Sequence, residues 1–149
     1  VLNLKINPMK KLFSLGLVAM LALTAVVSSC GKYEEGSKFT FLSAKSRVVN
    51  DWKLTSVTYN GTEVISLYPA IEISFKKDDT YSTSFTAGGL TTTETGTWAF
   101  NSDKTALLMT ATGSTTVETQ TIVMLKSKMM KLKSTDTSGD VTIMTLEQQ

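Results

Sequence analysis

From residue 51 to residue 147 the chain runs in short stretches that alternate apolar and polar side chains, broken by a turn signal about every 10–15 residues. No other feature constrains the fold as strongly. Successive side chains of a strand point to opposite faces, so each stretch buries one face and wets the other. Between such closely spaced turns there is little room for helices. Composition agrees: threonine supplies 23 of the 120 residues from Cys30 onward, and β-branched and aromatic residues suit a pleated, half-buried surface.

The alternation predicts eight strands, over 51–59, 70–77, 80–87, 91–101, 104–112, 116–126, 128–134 and 141–147. Asn60-Gly61 and Gly88-Gly89 are hairpin turn pairs, and Asp78-Asp79 and the 136–140 cluster also turn the chain. Pro69 stands where a strand can begin. A short helix is predicted over 42–48, opened by Ser43 or Thr40 as cap. Eight antiparallel strands leave unpaired edges unless the sheet closes, and an up-and-down barrel removes both edges. The expected fold is therefore all-β, an eight-stranded up-and-down antiparallel barrel behind one short N-terminal helix. A two-sheet sandwich is the competing architecture, but no Cys…Trp…Cys pattern supports one of the immunoglobulin type.

The stretch before residue 30 follows a different logic. Met9-Lys10-Lys11 is a charged start, residues 12–27 are almost wholly apolar, and Ser28 and Ser29 lead directly to Cys30. Sixteen residues make a helix of about 24 Å, short of the ~30 Å hydrocarbon core, so a signal peptide is expected rather than a permanent span. Residues 1–8 read as lying upstream of an initiator Met9. Small residues running into Cys30-Gly31 resemble the lipobox of bacterial lipoproteins, in which the cysteine thiol is joined to diacylglycerol and the chain is cut before it. Two or more acyl chains anchor stably where one does not. Cys30 is thus the expected site of lipid attachment and the link to a bilayer. As the sole cysteine, it also leaves no intrachain disulfide to hold the fold. The expected organisation is a signal peptide over 1–29, a lipidated tether over 30–40 and a barrel domain over 41–149. The cell envelope, at the outer membrane, is the expected location. The tether's lysine-then-acid character, "GKYEEGSK", resembles the surface-export signal of lipoproteins of Bacteroidota.

Charge follows from processing. Lys5, Lys10 and Lys11 precede Cys30 and no acid does, so of the chain's 15 basic side chains 12 remain against 13 acidic, a balance of −1. No basic patch argues for nucleic acid. The lysines of "KSKMMKLK" at 126–133 alternate with apolar residues, as the wet face of a strand pair does.

Four stretches carry a family resemblance: "FLSAKSRVVNDWKLTSVTYNGTEV" (41–64), "IEISFKKDDTYSTSF" (71–85), "TTTETGTWAFNSDKTAL" (91–107) and "TIVMLKSKMMKLK" (121–133). A helical turn leads to an early Trp, a Gly-x-Trp-x-Phe strand follows, and a lysine-rich hairpin lies near the end. In that order they resemble the lipocalin-like lipoproteins of Bacteroidota. Two departures from true lipocalins stand out. Asn50 replaces the glycine before the early Trp52, and the only arginine, Arg47, precedes Trp52 instead of lying late in the chain. The resemblance implies a barrel that holds a small molecule, and it names no particular ligand.

Chemistry is sparse. The chain has no histidine, which removes Ser-His-Asp, Cys-His and imidazole metal sites. No phosphate-binding glycine loop is present, so no cofactor is expected. Glu72 and Glu94 read as outer or loop acids, and Asp136 and Asp140 lack calcium-loop spacing. An enzyme is not expected.

What remains is the interior. An eight-stranded barrel either fills itself with side chains or holds one small ligand. Trp52, Phe75, Tyr81, Phe85, Trp98 and Phe100 are the candidate inward residues, with Met109, Met124, Met130 and Met144 also on strands. Two functions follow. One is a membrane-anchored binding protein for a small apolar or amphipathic molecule. The other is an interaction module with a filled barrel, whose threonine-rich outer face or loops contact a protein or glycan partner.

Overall fold

The computed structural model describes Tyr33, Glu35 and residues 41–149. The expected signal peptide and Cys30 lie outside the described residues. A helix α1 (Ala44–Val48) precedes β1 (Asp51–Tyr59), a two-residue β2 (Thr62–Glu63) and a 3-10 turn (Ile65–Leu67). Then come β3 (Ala70–Phe75), β4 (Thr80–Ala87), β5 (Leu90–Phe100), β6 (Ala106–Ala111), β7 (Glu118–Leu125), β8 (Met129–Thr135) and β9 (Val141–Gln148). β1 and β3 to β9 pair antiparallel in sequence order, and β9 pairs back onto β1 from Trp52↔Gln148 to Tyr59↔Thr142. The eight long strands close into an up-and-down barrel, as expected. β2 is an addition, a spur on β1 that begins the connection to β3.

Local chemistry places the ends. Asn60 and Gly61 both have positive φ, 48° and 81°, the geometry of a two-residue hairpin turn whose twist suits its flanking strands. Gly88 and Gly89, at 57° and 81°, do the same between β4 and β5. Ser43, not Thr40, caps α1: its side chain accepts from the Ser46 backbone N–H at 3.0 Å. Helix and short connections at 76–79, 101–105 and 126–128 gather at one end of the barrel. The longer connections at 60–69, 112–117 and 136–140 gather at the other.

The first end is closed by packing. Trp52 is fully buried and its indole N–H donates to the Val48 carbonyl at 2.9 Å, tying the first strand to the helix. Phe75, Trp98 and Phe100 interlock edge to face, with centroids 5.4 and 5.6 Å apart. Trp98 also donates to the Lys76 carbonyl at 3.3 Å. Leu107, Met130, Leu132 and Leu146 complete the buried cluster. Each large aromatic removes ~150–250 Å² from water, worth roughly 4–6 kcal/mol as an upper figure. Arg47 reaches from α1 to the Leu125 carbonyl, and its guanidinium lies 5.7 Å over the Tyr33 ring.

Two bulges decide which residues face inward. Between Leu54 and Ser56 β1 slips against β9, so Val57 rather than Ser56 turns in. Between Ile122 and Met124 β7 slips against β8, turning Leu125 in and leaving Met124 on the outer face. There the Glu35 N–H donates to the Val123 carbonyl at 2.8 Å, and the Glu35 carboxylate meets Lys131 at 2.7 Å. Of the expected tether, both described residues thus contact the barrel. On β8, Met130 and Leu132 face in and Lys131 and Lys133 face out, as the alternation of the 126–133 stretch implies.

Candidate functional site in the barrel interior

The inner face divides into two halves. Toward the closed end, Trp52, Phe75, Tyr81 and Trp98 are at most 4% exposed, and this half is solid. Phe100 is half-buried and packs against the same cluster. Toward the other end, strand register keeps Ile71, Phe85, Met109, Gln120 and Met144 on the inner face, yet each remains half-buried. Water therefore reaches apolar side chains that point into the barrel. Of the six aromatic candidates, five belong to the packed half or its edge. Phe85 alone lies in the open half, opposite Ile71 and Thr92. Met130 is buried within the core, Met109 and Met144 line the open half, and Met124 faces outward.

A polar group sits where the halves meet. Tyr81 pairs with Gly96, and Thr83 with Glu94, so all four share the inner face. The Tyr81 hydroxyl donates to Glu94 Oε1 at 3.1 Å. Burial, this hydrogen bond, and the negative charges of Glu94 and Glu118 push the Tyr81 phenol up to about 12, from its usual 10.0. It stays a neutral donor at physiological pH. Thr83 is 5% exposed. Gln120, opposite Leu107, and Glu118, opposite Met109, project from β7 to the same side. The Gln120 Oε1 atom is buried with no hydrogen-bond partner, an unmet acceptor of the kind that costs free energy until something donates to it.

The expected outer placement of Glu94 is thus corrected. Position 94 has the parity of Trp98 and Phe100 along β5, and no bulge intervenes. Its carboxylate is tolerated inside because the open end hydrates it and Tyr81 donates to it. Glu118 and Gln120, unremarked in the sequence, share parity with Ile122, so the same alternation was the signal for them. Glu72 does face outward, opposite Ser84. The other acids serve turns. Asp78 accepts from the Thr80 N–H and hydroxyl, and Asp136 from the Ser138 and Asp140 N–H groups. Among the described residues no group of three or more His, Cys, Asp or Glu side chains converges as a metal site.

Two hollows of about 510 and 550 Å³ lie outside the lumen. The first is walled by the solvated Lys76, Lys77 and Asp78 beside Val49 and Asn50. The second runs along the outer face of β5 and β6 over Ala99, Leu108 and Val117. Neither joins half-buried apolar walls to an unmet buried acceptor, as the lumen does.

Comparisons with known proteins agree with this architecture. The lipocalin-like domain family matches residues 48–132. The crystal structure of a lipocalin-like protein from Bacteroides uniformis superposes with a TM-score of 0.52 at 13% identity, over 69% of this chain and 99% of that one. A redesigned β-barrel gives 0.48 at 14% identity, over 74% and 99%. The odorant-binding protein from bovine nasal mucosa gives 0.45 at 13%, over 78% and 77%. At these identities the likenesses concern the fold alone, and only the first is close enough to bear on it. No curated protein matches the chain. Because the family match spans more than half of the sequence and falls on the strands that build the barrel, the chain belongs to the lipocalin-like domain family.

Proposed function

We propose that the protein is a lipid-anchored, non-catalytic binding protein of the cell envelope, at the outer membrane, that takes a small apolar or amphipathic molecule into the open half of its barrel. The supporting observation is the divided lumen: a packed aromatic base beneath inward-facing Ile71, Phe85, Met109 and Met144 that remain half-buried. Filling that half would remove apolar surface from water at about 25 cal/mol per Å². A non-catalytic role accords with a chain that has no histidine and whose one cysteine is assigned to lipid. The anchor rests on the charged start, apolar run and small residues before Cys30.

Native mass spectrometry of the chain purified from its own host tests the binding role. A reproducible small-molecule adduct is the expected result. Bare protein in every preparation would turn the assignment to the interaction module. Cys30→Ala tests the anchor: the variant is expected in the soluble fraction or as unprocessed precursor, and wild-type membrane fractionation would refute it.

A further inference from the structure

Along the strands, the inner face carries two charged side chains, Glu94 and Glu118, and no Lys or Arg. The lysines of β1 and β8, Lys53, Lys131 and Lys133, have outward parity. The lumen is therefore a one-signed compartment. Its remaining polar groups sharpen that character. Tyr81 has committed its proton to Glu94 Oε1 at 3.1 Å, so the Glu94 carboxylate is held in place with its second oxygen uncommitted to Tyr81. The buried Gln120 Oε1, with no partner, is a further acceptor without a donor. Two carboxylates with no cation along the inner strand faces, beside an amide oxygen that lacks a donor, match a head group that donates and carries positive charge. An ammonium has three donors and no acceptor, and its hydrogen bonds to carboxylates are the strong, charge-assisted kind. A carboxylate or phosphate head would meet two like charges and no counter-charge on the lumen wall, an arrangement that rejects it. A neutral alcohol would satisfy one acceptor and leave the charges unpaired.

We propose that the open half selects amphiphiles whose head is a protonated amine, seated among Glu94, Glu118 and the Gln120 carbonyl oxygen. The apolar part then lies along Ile71, Phe85 and Met109. This inference rests on the reading of the open half as a small-molecule site, and adds the head-group chemistry to it.

Three water-soluble probes of matched shape separate the two claims: 4-phenylbutylammonium, 4-phenylbutanol and 4-phenylbutanoate, each titrated calorimetrically into the full chain at neutral pH. The ammonium is expected to bind about ten-fold more tightly than the alcohol, and the carboxylate more weakly than either. Glu94→Gln and Glu118→Gln, both conservative changes at solvent-reached positions, are each expected to cut the preference for the ammonium over the alcohol about three- to ten-fold. Equal binding of all three probes would overturn the head-group proposal and leave the binding role standing. So would variants that weaken ammonium and alcohol alike. Failure of all three to bind would overturn both.

Discussion

Gly96 shows how one missing side chain sets the lumen. Its backbone does not need glycine's conformational freedom; the constraint is space. A Cβ there would come within 2.6 Å of the Tyr81 ring and collide with the Thr110 carbonyl oxygen. Glycine thus lets Tyr81 lie across β5 and reach Glu94 two residues along. Gly96→Ala is expected to lower stability by about 1–3 kcal/mol, the usual cost of overpacking, as read from urea midpoints. A variant of wild-type stability would show that the ring has room to move. Tyr81 itself makes a pH prediction. The unfolded chain releases the phenol proton near 10.0 while the folded chain holds it to about 12. This stabilising term is full below pH 10 and is lost as pH rises from 10 toward 12. Tyr81→Phe should therefore flatten the alkaline loss of stability between pH 9 and 11.5, measured by urea unfolding. Tyr59, raised chiefly by its hydrogen bond to Asp140, supplies a remainder of the same sign. An unaltered alkaline slope in the variant would contradict the buried donor role.

The turns that join the strands carry more than connection. Asn60 adopts positive φ in the β1–β2 hairpin, and its side chain also spans to the far end of the sheet. Its amide donates to Asp140 at 2.9 Å, and its carbonyl accepts from the Val141 N–H at 2.9 Å. The hairpin that begins the β1–β3 connection is thereby tied to the β8–β9 turn, across the seam where the barrel closes. Asn60→Ala loses both bonds and strains the left-handed backbone, an expected cost of about 2–4 kcal/mol. Asn60→Gly keeps the backbone and loses only the bonds, so it should cost about half as much. Thermal or urea melts of the pair separate the two contributions, and equal losses would mean that the backbone conformation contributes nothing. The bulges in β1 and β7 matter in the same way: one slipped residue changes which side chains enter the core.

Closure governs the molecule as a whole. β1 and β9 pair residues about 90 positions apart, so the sheet gains its last ladder only after most of the chain is placed. Folding is expected on the millisecond-to-second scale typical of barrels dominated by non-local contacts, observable by stopped-flow Trp fluorescence because Trp52 and Trp98 are both buried. Relaxation complete within tens of microseconds would argue against a rate-limiting closure. The same architecture divides labour between the two ends. Helix α1, Arg47 and the interlocked aromatics seal one, and the inward side chains near the longer connections of the other remain half-buried.

Strand number, strand order and the hairpin turns were legible because each depends on neighbours in the chain: alternation sets a face, and Asn-Gly or Gly-Gly sets a turn. Trp52, Phe75, Tyr81, Phe85, Trp98 and Phe100 were read as inward for the same reason. Three properties needed the tertiary structure. Bulges at Leu54/Ser56 and Ile122/Met124 reset the parity on which the reading relies, and they exist only relative to a partner strand. The division of the lumen into packed and open halves depends on which inward side chains meet across the barrel, a relation between strands distant in sequence. Glu94 had inward parity all along, but a charge inside a barrel is tolerable only where water and a donor reach it. Tertiary packing supplied both, through the open end and through Tyr81.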